Sequence, residues 1–294
     1  MSQEPGEKRR APAATPAYFG IAFAWTWTLW GTAAATGGSV AEPAGAMLYM
    51  AGGLGPLVGA AWLVLRSDRA YRRDFLSRIW DPRRITARWW WATVAVAAGP
   101  AILGSAVAAV VGGAQVLPAY GVGSVGGAIA VALLAGFAEE PGWRGVAADA
   151  WQRRTLPAGA AAAIGVFWAL WHLPLAFIDG TYYHALGFAS LAFWLTLLAL
   201  VQLGVLFLWL ANGSGGSLLV AVLAHAGFNV AASLAPRSTT GDVTALVAIT
   251  AATLVVVVAT RGRLGYAPER LTAGGLPHPR FCATNPAGRV GRAG

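Results

Sequence analysis

Apolar residues run through this chain in long unbroken stretches, separated by short segments that carry arginine. Eight stretches stand out, at about 17–36, 44–65, 90–112, 124–140, 157–177, 186–211, 217–235 and 243–260. An α-helix needs roughly 20 apolar residues to cross the hydrocarbon core of a bilayer. The stretches are about that long, and they lack the strict alternation of a membrane β-barrel strand. The pattern therefore predicts an all-α, polytopic transmembrane helical bundle of about eight spans. Glycine recurs beside alanine, as in Ala51-Gly52-Gly53-Leu54-Gly55. Small side chains of this kind let membrane helices approach closely.

The polar segments between the stretches predict an orientation. Lys8, Arg9 and Arg10 precede the first stretch. Placing them in the cytoplasm puts Arg66, Arg69, Arg72, Arg73, Arg78, Arg83, Arg84 and Arg88 on the same side. Arg144, Arg153, Arg154, Arg261, Arg263, Arg270, Arg280, Arg289 and Arg292 follow them there. Of the 21 lysines and arginines, only Arg237 falls outside. Cytoplasmic loops of membrane proteins carry such an excess, so both termini are expected on the cytoplasmic side of the cell membrane.

The expected organisation is a disordered tail over 1–16, transmembrane helices over 17–123, a polar-bearing core over 124–235, a last span within 236–263 and a disordered tail over 264–294. The first stretch is too long, and lacks a clear cleavage site, to be a removed signal peptide. Segment 66–88 mixes arginine with Tyr71, Phe75, Leu76, Ile79 and Trp80. It reads either as an amphipathic interfacial helix or as a basic loop. Trp89, Trp90 and Trp91 fit an interfacial aromatic belt. No internal repeat at a fixed period is visible.

Composition narrows the function classes. Hydrophobic residues make up 57% and charged residues 11%, and mean hydropathy is +0.58. A soluble domain carries about 25% charged residues, so an ordinary soluble domain is excluded. The net charge of +9 would suit nucleic acid, but the charges lie between apolar stretches rather than along one polar face. A lipid bilayer, and no nucleic acid, is the expected partner. The single cysteine, Cys282, excludes a disulfide framework and a cysteine-rich metal site.

Ionisable groups inside membrane spans are costly, and each marks a functional hypothesis. Five remain once loop and tail charges are set aside: Glu139, Glu140, Arg144, His172 and His225. Asn229 joins them as an amide in an apolar helix. In Glu139-Glu140-Pro141-Gly142-Trp143-Arg144, Glu140 and Arg144 stand at i,i+4 and can pair on one helical face. Glu139 points about 100° away and has no local cation. If these residues instead mark a helix end, both carboxylates face the cytoplasmic interface. Pro141 is expected to kink or restart the helix. In the second cluster, Trp168 and His172 share a face, with Phe167 and Trp171 as aromatic neighbours. In the third, His225 and Asn229 lie one turn apart, and both can donate hydrogen bonds as an oxyanion site requires. Glu139, His172 and His225 would also be a suitable ligand set for Zn²⁺. Each cluster has a plainer reading as helix–helix hydrogen bonding, which the three together weaken.

Absent motifs narrow the chemistry further. No His-Glu-x-x-His occurs, which disfavours a zincin-like protease. No Gly-x-Gly-Asp occurs, which disfavours an intramembrane aspartyl protease. Ser214 and Ser217 offer a weaker alternative, a serine dyad with His225.

The three motifs, in this order on successive apolar helices, resemble the CPBP family of intramembrane endopeptidases. That family includes the CAAX prenyl endopeptidases and the bacterial abortive-infection and bacteriocin-processing proteins. Its pattern is Glu-Glu-x-x-x-Arg, then Phe-x-x-x-His, then His-x-x-x-Asn or Asp. Glu139-Glu140 to Arg144 matches the first, and His225 to Asn229 the third. The second departs, because Trp168 stands four residues before His172 and Phe167 one earlier. The resemblance covers about 125–235. It implies that Glu139, with His172 beside it, activates water, and that His225 and Asn229 stabilise the oxyanion. Glu140, Arg144 and Trp168 are then structural or substrate-orienting. Some members are described as metalloproteases and others as glutamate-type peptidases, and the metal-free account is preferred here. The implied substrate is a peptide or protein, either prenylated or a peptide leader. The competing readings are a proton- or ion-coupled transporter, and a non-catalytic peptide-binding immunity or scaffold protein.

Overall fold

The computed structural model describes residues 14–112, 122–236 and 238–267, and among these the regular elements are all helices, without a strand. The tail over 1–13, Arg237, and the C-terminal segment from 268, including Cys282, lie outside the described residues. The helices, in chain order, are α1 (Ala14–Ala35), α2 (Pro43–Gly52), α3 (Gly55–Leu65), α4 (Arg69–Trp80), α5 (Ala87–Gly112) and α6 (Val122–Glu140). They continue with α7 (Ala148–Trp151), α8 (Pro157–Trp171), α9 (Tyr182–Leu186), α10 (Leu191–Gly213), α11 (Leu218–Leu234) and α12 (Thr239–Ala259).

Every apolar stretch of the sequence forms a helix or a bent helix pair. Five continuous helical segments among the described residues are long and apolar enough to cross a membrane, and the pair α2–α3, bent by 40°, makes a sixth. Helix α11 is as apolar but has 17 residues. Helix α1 has 22 residues, and its three tryptophans and four threonines lower its hydropathy. The chain is thus an all-α polytopic membrane bundle.

Two expectations about its course are corrected. The stretch expected to end at Glu140 continues as one span to Trp151. Pro141 does not restart the helix as a separate span. Its missing N–H is absorbed in a π-helical segment, Pro141–Ala147, that joins α6 to α7. Such widened turns are rare and gather at functional sites. All seven π residues are buried, so Arg144 sits inside the bundle.

The packing of α11 positions the polar core. It lies against α6 and α5, while α8 packs on α10 and α12 bridges α5 and α10. The α6–α11 crossing is close because Gly136 lacks a side chain. A Cβ there would stand 2.7 Å from the Val222 carbonyl oxygen. Gly165 does the same for α8 and α10, where a Cβ would meet the Val201 backbone at 2.9 Å. Small residues at these crossings replace the hydrophobic driving force that lipid does not supply.

Segment 66–88 holds the amphipathic helix α4, capped by the Asp68 carboxylate on the Tyr71 N–H. Its inner face buries Tyr71, Phe75, Arg78 and Ile79. Arg78 donates to the Gly216 carbonyl at 2.7 Å and to Asp149 at 2.7 Å. Arg84 donates to the Gly215 carbonyl at 3.0 Å. These arginines tie α4 to α7 and to the turn that leads into α11. Burial would lower the Arg78 guanidinium, but the Asp149 carboxylate more than offsets this and holds it above its usual value. Burial, reinforced by the Asp149 charge, pushes the Tyr71 phenol well up. At the opposite end, the Val40 N–H donates to the Asp179 carbonyl, joining the loop before α2 to the loop before α9.

Candidate active site

Glu139 and Glu140 are the last two residues of α6 before the π segment. Neither is at an exposed helix end, since Glu139 is 7% exposed and Glu140 0%. Adjacent positions on a helix point in different directions, and the two carboxylates have different partners.

Glu140 forms the expected pair with Arg144, Nη1 to Oε1 at 2.9 Å. The same Oε1 accepts from His225 Nδ1 of α11 at 2.7 Å. Because a carboxylate only accepts, Nδ1 of His225 carries the proton and Nε2 is its free ring nitrogen. The guanidinium of Arg144 also lies over the ring of Trp168 at 4.2 Å and that of Phe207 at 5.2 Å. Phe207 in turn stacks on His225 at 5.8 Å. Two aromatic faces and one carboxylate therefore surround a buried cation, which is how such a charge becomes tolerable away from water.

Glu139 turns toward α8. Its Oε2 accepts from the indole N–H of Trp168 at 2.6 Å. The carboxylate without a cation nearby in sequence thus receives a donor from another helix, and it lies within electrostatic range of His225 and Arg144. His172 follows Trp168 by one turn, and its Nδ1 donates to the Trp168 carbonyl at 2.8 Å. The carbonyl fixes the tautomer, leaving the Nε2 lone pair free. A backbone carbonyl on the far ring nitrogen is a common way of orienting a working imidazole.

Trp168 is the junction of the site. Its N–H holds Glu139, its carbonyl holds His172, and its ring meets His172 at 5.7 Å and His225 at 5.5 Å. The structure therefore joins Glu139, Glu140, Arg144, Trp168, His172 and His225, drawn from α6, the π segment, α8 and α11, in one buried cluster. Asn229 lies one turn beyond His225 on α11, half-buried, and among the described residues its side-chain amide has no hydrogen-bond partner. Ser214 is committed elsewhere, its hydroxyl donating to the Leu210 carbonyl at 2.7 Å.

Three tyrosines come to this site without a sequence signal. Tyr183 of α9 packs its ring on His172 at 5.1 Å and lies in electrostatic range of Glu139, as does Tyr49 of α2. Tyr18 of α1 is fully buried, with its hydroxyl against Gly142 of the π segment. They belong to elements far away in the chain, and nothing in their spacing ties them to the motifs.

Among the described residues no three His, Cys, Asp or Glu side chains gather closely enough to hold an ion. Glu139 and His172 are linked through Trp168, and His225 is held by Glu140, rather than the three converging on a point.

Residues 121–231 match the family described as type II CAAX prenyl endopeptidase Rce1-like. The chain is also similar to a CAAX prenyl protease 2 of Methanococcus maripaludis, 34% identical over 94 residues. That alignment covers 32% of this chain and 35% of the relative, so the chain spans about a third of the length of the curated relative it matches. Residues 121–231 contain all seven motif residues. The likeness to CAAX-type endopeptidases thus falls on residues 121–231, the segment that carries the motif side chains of this buried cluster.

Proposed function

We propose that this protein is an intramembrane endopeptidase that hydrolyses a peptide bond with water activated by Glu139 and His172. The observation that carries the reading is that Trp168 holds both Glu139 and His172, and that Glu140 pairs with His225 and Arg144, inside an apolar bundle. Three separate helices bring costly polar groups to one buried cluster, and such groups in a membrane protein are rarely kept without a task.

The steps follow from the donors and acceptors. A water between Glu139 and His172 gives one proton to the Glu139 carboxylate, while the His172 Nε2 lone pair orients it. The resulting hydroxide attacks the peptide carbonyl carbon. As an imidazolium, His225 donates Nδ1–H to Glu140 and has Nε2–H left for the tetrahedral oxyanion. The Asn229 amide supplies a second donor. Glu139 then returns its proton to the amide nitrogen, the C–N bond breaks, and the acid formed passes its remaining proton to the amine, so that a carboxylate and an ammonium leave. No acyl-enzyme forms. Glu140 and Arg144 hold His225 in place, and the closed bundle keeps bulk water from weakening these interactions.

The substrate class follows the relatives: a protein or peptide whose C-terminal portion is prenylated, entering from the cytoplasmic side where the arginines gather. The test is purified protein with a farnesylated CAAX-type peptide, new termini being read by mass spectrometry. Cleavage at one bond is expected. Intact peptide, together with solute uptake in proteoliposomes, would replace the reading by a transporter.

A further inference from the structure

The family pattern has phenylalanine at the position four before the second-motif histidine, and this chain has tryptophan. A phenyl ring can fill the space and offer a face to Arg144, but it has no N–H. In this structure the added N–H is used, since the Trp168 indole donates to Glu139 Oε2 at 2.6 Å in a site where Glu139 is 7% exposed. No other hydrogen bond of the Glu139 side chain is seen among the described residues.

We propose that Trp168 is a positioning residue whose indole N–H fixes the Glu139 carboxylate in the orientation that takes a proton from water, coupling it to His172 through its own backbone carbonyl. The inference rests on the hydrolase reading above. One residue aligns both partners of the water. Its N–H sets one carboxylate oxygen, leaving Oε1 for the water, and its carbonyl sets the His172 ring so that Nε2 faces outward from the helix turn. The site therefore depends on tryptophan here, and the family's own residue does not substitute for it.

The test compares wild type with Trp168→Phe and with Trp168 replaced by 3-benzothienylalanine, which has the bicyclic shape but sulfur in place of the N–H. The expected result for both is a kcat about 10–100-fold lower, the usual effect of removing a group that orients a working residue. KM is expected to stay within about twofold. A benzothienyl variant with wild-type kcat overturns the inference, because packing and not the donor would then be what matters. A second readout does not need activity. The indole N–H resonance missing from the ¹⁵N spectrum of Trp168→Phe is expected to move in Glu139→Ala, and a resonance that stays fixed also overturns the inference. If wild type cleaves nothing, the hydrolase reading fails, and this resonance alone decides whether the indole holds the carboxylate.

Discussion

Replacing Glu140 with alanine is expected to cost stability before it costs chemistry. Its Oε1 is the common acceptor for Arg144 at 2.9 Å and His225 at 2.7 Å, in a pocket where Glu140 is 0% and Arg144 2% exposed. Removing one partner of a buried ion pair typically costs about 3–5 kcal/mol, because the other charge is left without compensation. The rings of Trp168 and Phe207 stay against the guanidinium, which places the loss at the lower end, about 3 kcal/mol. At about 2–4 °C per kcal/mol for a chain of this size, the melting temperature falls by about 6–12 °C. The assay is thermal unfolding of detergent-purified protein, followed by exposure of buried tryptophan. Glu140→Leu combined with Arg144→Met removes both charges, and its melting point should recover most of the loss. It should not recover activity, since His225 then lacks the acceptor that orients it. A Glu140→Ala protein melting within about 2 °C of wild type would refute the reasoning. So would a double variant that melts below the single one.

Four further outcomes follow from the same structure. His225→Ala should insert normally and lose peptide cleavage by about 100-fold or more in kcat, as expected for an oxyanion donor; unchanged kcat removes that role. Treatment with EDTA or 1,10-phenanthroline should leave the cleavage rate unchanged, and stoichiometric zinc in the purified enzyme with loss of activity on its removal would contradict the metal-free steps. Asp149→Asn should strip the buried Arg78 of its counterion and lower the melting temperature to a similar extent as Glu140→Ala. In wild type the folded Tyr71 phenol sits above its ordinary value of about 10. Unfolded chains therefore ionise first, and stability falls as pH rises past that value; a melting temperature flat from pH 9 to 11 would contradict this.

The sequence was most legible where one-dimensional pattern carries the physics. The apolar stretches became helices because a bilayer leaves the backbone no other way to satisfy its hydrogen bonds. The Glu140–Arg144 pair was readable because i,i+4 neighbours meet on any helix. Three things were not legible. The continuation of α6 through Pro141 depends on a π segment, whose register is set by packing around Gly142 and Arg144 rather than by local propensity. The donation from Trp168 to Glu139 joins residues 29 apart and could be seen only once α6 and α8 were placed together. The arginines at 78 and 84 read as loop charges, yet they bind the carbonyls of Gly216 and Gly215 and fix the turn into the helix that carries His225. In each case the missing information is a contact between helices.

The most direct test of the account is the rate at which purified Glu139→Ala cleaves a farnesylated CAAX-type peptide that the wild type cuts, with folding verified by an unchanged elution volume and melting curve. The account predicts loss of cleavage by at least about 1,000-fold in kcat, since removal of the proton acceptor leaves only binding and oxyanion stabilisation to lower the barrier. A Glu139→Ala protein that cleaves at the wild-type rate would contradict it.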